Sequence, residues 1–343
     1  MTPVTPPHSI SVVVPVYRGA ETLPALVAEI QSLVDGFRTP HGRAARVAEV
    51  LLVHDHGPDA SASVIRELEQ LHSFVRGIWL SRNFGQHAAT LAGIASSGEE
   101  WISTIDEDGQ YDPGQIGIML DVAMEEQASL VYAHPVNEAP HSFFRNVTSR
   151  TSKRIVDVLS GGKGARVYHS FRLMLGETGR SVAAYAGQGV YLDVALGWVA
   201  DDISTAPIRL REEFDRPSGY NLRRLLSHFW RLVLTSGTRG LRVVSVVGAI
   251  LAALGLVTAI VLAVNRVAGG SWPQGWASLM VAVLVIGGIV LFFLGIIAEY
   301  VGVVVNQAMG RPPYLIISDP DRGPLGRDSQ TTAFTPEGKD FPK

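Results

Sequence analysis

Two carboxylates, Asp106 and Asp108, lie one residue apart directly after the apolar run from Trp101 to Ile105. That run is rich in β-branched residues and is followed by Gly109 and Pro113, so it predicts a strand that ends at the acids. In an α/β sheet, ligands bind at the carboxyl ends of the strands. Carboxylates in that place suit Mg²⁺, which uses one or two of them together with substrate phosphates. The alternative is an acidic strand-to-helix turn without a metal.

Other polar clusters also follow predicted strands. The apolar runs predict strands at 10–17, 47–53, 74–80, 101–105, 129–133 and 203–212. Helical spacing of apolar residues predicts helices at 21–34, 61–71, 88–95 and 113–126. Alternating strands and helices are typical of a doubly wound, mostly parallel sheet. The polar clusters at 17–19, 55–59, 82–87 and 106–112 would then converge at one edge of this sheet.

Composition excludes several kinds of site. The 343 residues contain no cysteine, which rules out disulfides, thiolate metal sites and a cysteine nucleophile. The net charge of −3 favours no particular partner, and we expect no nucleic acid partner. Residues 1–9 lack the basic and apolar regions of a signal peptide, so we expect a short N-terminal tail before a catalytic domain at 10–215.

Two long apolar stretches near the C-terminus predict a transmembrane domain at 243–305. The stretches 243–264 and 279–303 are each long enough to span a bilayer, which takes about 20 residues. A pair of buried core helices is the alternative. Arginines precede the first stretch and Arg311 follows the second, so the positive-inside rule places both flanks in the cytoplasm. A two-helix hairpin in the bacterial cytoplasmic membrane would result, with a cytoplasmic catalytic domain.

Two basic segments are candidates for contact with the membrane or with an anionic acceptor. One is a predicted helix at 141–159 that carries Arg150 and Lys153, and its alternative reading is a solvated face. The other, at 216–242, is basic, aromatic and rich in leucine, which is typical of an amphipathic interfacial helix. The C-terminal segment 306–343 is rich in Pro, Gly and polar residues from 319, where we expect mostly disorder.

An ordered set of motifs resembles one family. The motifs are Ser11-Val-Val-Val-Pro-Val-Tyr17, His54-Asp55-x-x-Pro58-Asp59-x-Ser61, Ser81-Arg-Asn-Phe-Gly-Gln-His87, Asp106-x-Asp108-x-Gln110-x-x-Pro113, Phe171-Arg172-Leu-Met, Ser218-x-Tyr220, Gly295-x-x-x-Glu299-Tyr300 and Arg311-Pro-x-Tyr314. Together they are similar to the membrane-anchored family 2 glycosyltransferases that load a sugar onto a polyprenyl phosphate. Dolichol-phosphate mannose synthases and undecaprenyl-phosphate glycosyltransferases belong to that family.

The resemblance implies a GT-A-type catalytic domain and a role for each matching residue. Asp106 and Asp108 would hold Mg²⁺ or Mn²⁺ and the donor diphosphate, and with Arg172 and Arg216 they would form the catalytic set. The nucleotide-sugar pocket would comprise Pro15, Tyr17, Asp55, Arg82, Asp106 and Gln110. The acceptor phosphate and lipid would meet Arg150, Lys153, Ser218, Tyr220, Arg223 and Arg224.

The chain departs from the family pattern just before Phe171. Many members have an acid there, whereas this chain has His169-Ser170. The implied acceptor is a phosphate monoester with a second pKa of about 6, which is already largely an anion at neutral pH. A strong general base is therefore not required. His169 would orient the acceptor, or it would be an ordinary packed or exposed histidine.

The resemblance implies inverting transfer of one sugar from a nucleotide sugar, UDP-linked by preference, to undecaprenyl phosphate. The product would serve modification of cell-envelope glycans. A homo-oligomer, dimer or tetramer, is expected because the glycines of the apolar stretches allow close helix packing. One alternative is a catalytically silent membrane scaffold. Another is a processive polysaccharide synthase, which would carry a Gln-x-x-Arg-Trp segment and more spans.

Overall fold

The computed structural model describes residues 6–137, 169–187, 191–200, 202–211, 275–309 and 312–323, together with 257, 264, 267 and 268. Its strands are β1 (His8–Val16), β2 (Phe37–Arg38), β3 (Ala44–His54), β4 (Val75–Leu80), β5 (Trp101–Thr104), β6 (Leu130–Pro135), β7 (Arg172–Leu175), β8 (Ile203–Ile208) and β9 (Ile316–Ile317). Its helices are α1 (Leu23–Gln31), α2 (Ser61–Leu71), α3 (Gln86–Ser96), α4 (Ile116–Glu126), α5 (Gly176–Tyr185), α6 (Leu192–Val199) and α7 (Trp276–Ala308), with a 3₁₀ turn at Pro113–Gln115.

These strands form one mixed sheet in the order β8-β6-β7-β5-β1-β3-β4-β9, with β2 paired to β3. The pairs β1–β3, β1–β5, β3–β4 and β6–β8 are parallel. Strand β7 is antiparallel to both β5 and β6, so the longer strands still all point the same way. The prediction of a mostly parallel sheet is thus right for strand direction. The antiparallel pairing of β7 with β5 and β6 was not predicted, because β7 comes from residues distant in sequence from both strands.

Helices cover both faces of the sheet, as predicted for a doubly wound fold. Strand β1 shows why: Val12 and Val14 pack into one hydrophobic cluster with α1, α2 and α4, while Val13 packs into the other with α3, α5 and α6. Strands buried on both faces are near-continuously apolar, which is the pattern of β1 in the sequence. Helix α3 lies close to the sheet, since a Cβ atom at Gly93 would come within 2.3 Å of a methyl group of Val13.

The predicted elements of the first 135 residues all exist, with small shifts at their ends. Helix α2 has the predicted bounds, and β6 runs two residues further than expected. Helices α5 and α6 were not predicted, although both pack against the sheet. The predicted basic helix at 141–159, the interfacial segment at 216–242 and most of the first apolar stretch lie outside the described residues.

The described chain falls into two compact units. The first comprises 1–141, 167–217 and 312–343, and the second comprises 142–166 and 218–311. Within the second unit, α7 contains the whole of the predicted second apolar stretch. Among the described residues, no helix meets the length and hydropathy requirements for a membrane span.

The described C-terminal residues of the first unit, 312–323, pack against its sheet. Strand β9 pairs antiparallel with β4 at the edge of the sheet. Beyond it, Asp319 accepts hydrogen bonds from Arg66 of α2, with the shortest N–O distance 2.6 Å. The disorder expected from residue 319 therefore does not apply to 319–323, because this ion pair anchors the segment.

A buried carboxylate also fixes the loop between β2 and β3. Asp121 of α4 accepts hydrogen bonds from the Thr39 hydroxyl at 2.7 Å, the His41 amide at 2.9 Å and the Arg43 guanidinium at 2.6 Å. Burial alone would raise the pKa of Asp121, but these hydrogen bonds outweigh it and hold the pKa below its usual value. The loop is thereby attached to the helix that follows the acidic segment at 106–112.

We expect Asp121→Asn to lower the free energy of unfolding by about 2–3 kcal/mol, the range for hydrogen bonds to a charged group. Because the folded pKa is lowered, the carboxylate's contribution is present above the unfolded pKa of about 4. It is lost as pH falls through the folded pKa. Urea unfolding followed by intrinsic fluorescence between pH 7 and pH 3 measures this difference.

The exposed Asp35→Asn variant is the control and should match the wild type throughout. A stability gap for Asp121→Asn that stays constant down to pH 3 would contradict the assignment.

Candidate active site

Four loops meet at the carboxyl edge of the sheet, as the sequence predicts. They follow β1, β3, β4 and β5, which are adjacent parallel strands. Register places Val16 beside His54 and Val13 beside Thr104, so the strands end near one another. The polar clusters identified in the sequence therefore belong to one site.

Glu107 joins the acidic loop to the loop after β1. Its carboxylate accepts hydrogen bonds from the backbone amides of Tyr17 at 3.0 Å and Arg18 at 2.9 Å. Burial raises the pKa of Glu107 to about 7, against the lowering effect of these two hydrogen bonds. The residue between the two predicted metal ligands thus holds the first loop in place.

Asp55 joins the loop after β3 to the loop after β4. This buried carboxylate accepts hydrogen bonds from the amides of Phe84 at 2.7 Å and Gly85 at 2.8 Å. Gly85 has φ of 93°, a left-handed conformation that glycine adopts without strain, and α3 begins directly after it. Burial raises the pKa of Asp55, and the two amides act in the opposite direction.

The loops after β1 and β3 are also in direct contact. The Gly19 amide donates to the Ser61 hydroxyl at 2.8 Å, and the Ala20 amide donates to Asp59 at 3.2 Å. A Cβ atom at Gly57 would lie only 1.7 Å from the Tyr17 carbonyl oxygen, so only glycine permits this approach. The four loops therefore form one connected framework.

A cavity of about 190 Å³ lies at this edge of the sheet. It is lined mainly by polar and titratable side chains from β1, α3, β5, β7 and α6. The lining residues are Pro15, Gln86, His87, Thr90, Thr104, Ile105, Asp106, His169, Ser170, Arg172 and Asp193.

Asp106 is the carboxylate of the predicted pair that lines the cavity. It accepts a hydrogen bond from the Gln86 side chain at 2.6 Å. Burial raises the pKa of Asp106, and the Asp108 charge acts in the same direction, against a hydrogen bond from Ser170 and the Arg172 charge. A nearby divalent cation would favour the ionised form of both acids.

The residues present fit a divalent cation. Among the described residues no group of three or more His, Asp or Glu side chains surrounds one metal position. The donor set would instead be the two hard carboxylates of Asp106 and Asp108, which suits a cation that takes its remaining ligands from water and substrate phosphates.

Arg172 is the basic group of the cavity. It is 4 % exposed, and its Nη1 atom lies 2.7 Å from an oxygen of Asp193, which is 7 % exposed. A buried guanidinium beside a cavity that also contains Asp106 is suited to binding an anionic group of a substrate. The sequence motif identified Arg172, whereas nothing local in the sequence indicated Asp193.

The other residues predicted for the nucleotide site differ in their environments. Pro15 lines it. Tyr17 is exposed at 42 %, with the Arg18 guanidinium 5.8 Å from its ring centroid. The Arg82 guanidinium lies 4.4 Å from the Phe84 ring centroid, and Arg82 does not line the cavity. Gln110 is exposed, and its carbonyl oxygen accepts from the Arg211 amide at 3.0 Å. Roles for these residues remain predictions.

Several predicted site residues lie outside the described part of the chain. They are Arg150, Lys153, Arg216, Ser218, Tyr220, Arg223 and Arg224. Sequence reasoning missed Glu107 and Thr90 as well as Asp193. Gln86 and His87 belong to the Ser81–His87 motif but were not assigned a role from the sequence. Both line the cavity.

Comparisons with known proteins agree with this geometry. The undecaprenyl-phosphate 4-deoxy-4-formamido-L-arabinose transferase of Enterobacter sp. (strain 638) is 28% identical over 341 residues, covering 96% of this chain and 99% of the relative. The protein of that name from Serratia proteamaculans (strain 568) is 29% identical over 327 residues, covering 92% and 95%.

A solved mycobacterial protein has the same fold, with a TM-score of 0.50 at 17% identity over 68% of this chain and 74% of that chain. The family described as Glycosyl transferase family 2 matches residues 11–185. Because this match spans half of the 343 residues, the chain belongs to glycosyl transferase family 2.

Proposed function

We propose that this protein transfers one sugar, with inversion, from a UDP-linked donor to undecaprenyl phosphate at the cytoplasmic face of the bacterial inner membrane. The product is a polyprenyl-phosphate sugar for modification of cell-envelope glycans. The named relatives, matched along nearly their whole length, support the acceptor class.

One observation carries the proposal: Asp106 of the acid pair and the buried Arg172 line the same cavity at the carboxyl edge of the sheet. A donor diphosphate carries negative charge that a cation at Asp106 and Asp108 would neutralise. Arg172 supplies a second, fixed positive charge within the same cavity. A substrate with phosphates next to its reacting carbon fits this arrangement.

The reaction needs positioning more than proton transfer. A phosphate oxygen of the acceptor attacks the anomeric carbon, and the bond from that carbon to the diphosphate oxygen breaks. The electron pair leaves with the diphosphate, so attack from the opposite face inverts the anomeric centre. The acceptor phosphate, with a second pKa of about 6, is already an anion at neutral pH. The described cavity accordingly does not need a strong base at the position of His169.

The chain's own residues hold the reacting groups. Asp106 and Asp108 would hold Mg²⁺ or Mn²⁺, which when bound supplies positive charge to the diphosphate leaving group. Arg172 binds phosphate oxygens from the cavity wall. Glu107 and Asp55 fix the loops after β1 and β4, which would enclose the nucleotide. Such preorganised charges lower the barrier because they need no rearrangement during the reaction.

Membrane association and assembly are further parts of the proposal. They rest on the apolar stretches 243–264 and 279–303, on the basic segment at 216–242 and on the glycines of those stretches. We propose a two-helix membrane hairpin and a homo-oligomer, dimer or tetramer. Alkaline extraction of membranes tests the hairpin, and native mass spectrometry of detergent-solubilised protein tests the oligomer.

A transfer assay tests the reaction directly. The full chain in nanodiscs is incubated with undecaprenyl phosphate, Mg²⁺ or Mn²⁺, and a panel of UDP- and GDP-sugars, with lipid mass and nucleoside diphosphate release as readouts. We expect the lipid to gain one sugar from one donor. If no donor gives a product, and calorimetry shows no metal-dependent binding of any donor, a catalytically silent scaffold would be favoured. A polymeric product would favour a processive synthase.

We expect Asp108→Asn to lower the transfer rate about 100-fold or more, because it removes a charged ligand of the metal and diphosphate site. The rate is measured in the same nanodisc assay. Asp35→Asn, the same change at an exposed site away from the cavity, should leave the rate unchanged. A fully active Asp108→Asn protein would disprove the metal assignment.

We expect Glu107→Ala to weaken UDP binding about tenfold, or about 1.4 kcal/mol, because the loop after β1 loses the two hydrogen bonds that position it. Calorimetric titration with UDP in the presence of Mg²⁺ measures this change. Glu67→Ala, on the exposed side of α2, is the matched control. Equal affinities for both variants would show that Glu107 does not position this loop for the nucleotide.

A further inference from the structure

Arg172 is held in a buried polar cluster that spans three elements. Tyr132 of β6 and Arg172 of β7 are register partners, so their side chains lie on the same face of the sheet. Asp193 of α6 covers both: one carboxylate oxygen accepts from the Tyr132 hydroxyl at 3.0 Å and lies 2.7 Å from Arg172 Nη1. The Arg172 guanidinium carbon is 5.7 Å from the Tyr132 ring centroid.

All three side chains are more than nine-tenths buried. A buried ion needs an opposite charge and hydrogen-bond partners, because desolvation otherwise costs several kcal/mol. Asp193 provides the opposite charge for Arg172. The Nε and Nη1 atoms of Arg172, however, make no hydrogen bond to any of the described residues, so Asp193 holds Nη1 as an ion pair.

Arg172 is also part of the wall of the cavity at the carboxyl edge of the sheet. Arg172, Asp193 and Asp106 all line that cavity. A guanidinium has five N–H donors in one rigid plane, so an ion pair at one end fixes the direction of the others. Asp193 on α6 therefore determines where the remaining donors of Arg172 point.

We propose that Asp193 is a positioning residue, which orients the Arg172 guanidinium so that its free donors bind phosphate oxygens of the substrate. The inference rests on the proposed function and deepens it. The phosphate belongs either to the leaving diphosphate of the donor or to the acceptor monophosphate. In both cases a mobile arginine would lose the directional hydrogen bonds while keeping its charge.

Asp193→Asn tests this role, because asparagine has nearly the same shape and can still accept from Tyr132. We expect kcat to fall about 10- to 100-fold, the range for groups that orient a ligand-binding side chain. The melting temperature should fall, because Arg172 loses its buried counter-charge, so kcat is compared at a temperature where circular dichroism shows the variant to be folded. The control is Asp202→Asn, the same change at an exposed site just beyond α6. Wild-type kcat in Asp193→Asn would overturn the proposal.

A double-mutant cycle separates positioning from a merely structural role. If Asp193 acts through Arg172, adding Asp193→Asn to Arg172→Gln should lower kcat by less than about twofold further. Losses that multiply would instead show that Asp193 acts independently and would overturn the proposal. Should Arg172→Gln fail to fold, the cycle is run with Arg172→Lys, which keeps the charge but loses the planar donors.

Measuring KM for each substrate separately identifies which phosphate Arg172 binds. A rise in KM for the nucleotide sugar alone assigns the donor diphosphate, and a rise for undecaprenyl phosphate alone assigns the acceptor. Either result, with the kcat loss above, supports positioning by Asp193.

A binding measurement keeps the inference testable if no sugar transfer is found. Inorganic pyrophosphate with Mg²⁺ is titrated into the wild type, Asp193→Asn, Arg172→Gln and the double variant by calorimetry. Weaker binding by Asp193→Asn that is not additive with Arg172→Gln supports the role of Asp193 even though the proposed reaction has failed. Inorganic phosphate is titrated in the same way as a probe for the acceptor group. Unchanged affinity of Asp193→Asn for both pyrophosphate and phosphate overturns the inference, whatever the transfer assay shows.

Discussion

Carboxylates that accept hydrogen bonds from the backbone amides of neighbouring loops hold this site together. Loops that follow parallel strands leave amide groups without sheet partners, and a carboxylate from a neighbouring loop can accept their hydrogen bonds. Glu107 binds two amides of the loop after β1, and Asp55 binds two amides of the loop after β4. Hydrogen bonds to charged acceptors are each worth about 1.5–3 kcal/mol. The acidic loop and its neighbours are thereby fixed to one another before any ligand binds.

The charges of the cavity follow from the same framework. Asp106 follows shortly after the end of β5, and Arg172 begins β7. These strands are paired, so a carboxylate and a guanidinium reach the cavity from neighbouring backbones. Burial raises the pKa of Asp106, which a bound cation would reverse. Asp193 lies against the buried Arg172 guanidinium as its counter-ion. A substrate with phosphate groups meets a surface whose positive and negative positions are already set.

The C-terminal segment stabilises the end of the sheet that is formed by β4 and β9. Strand β9 covers the edge strand β4, where unpaired backbone groups would otherwise be open to other chains. The Arg66 guanidinium bonds Asp319 and lies 4.8 Å from the Trp79 ring centroid, so one arginine connects α2, β4 and the tail. The first unit is thus completed by residues from 312 onward, which these contacts hold in place.

The sequence by itself determined the alternating strands and helices and the edge of the sheet where the polar clusters meet. It also predicted Asp106, Asp108 and Arg172 as site residues. These depend on local periodicity and on short motifs, which the order of residues records directly. Only the tertiary structure decided the reversed direction of β7 and the roles of Glu107 and Asp193. Asp193 and Tyr132 are in contact although they are 61 residues apart in the sequence, and Glu107 and Tyr17 are 90 residues apart. Such contacts arise from how the sheet brings distant segments together, and no pattern within a single segment contains them.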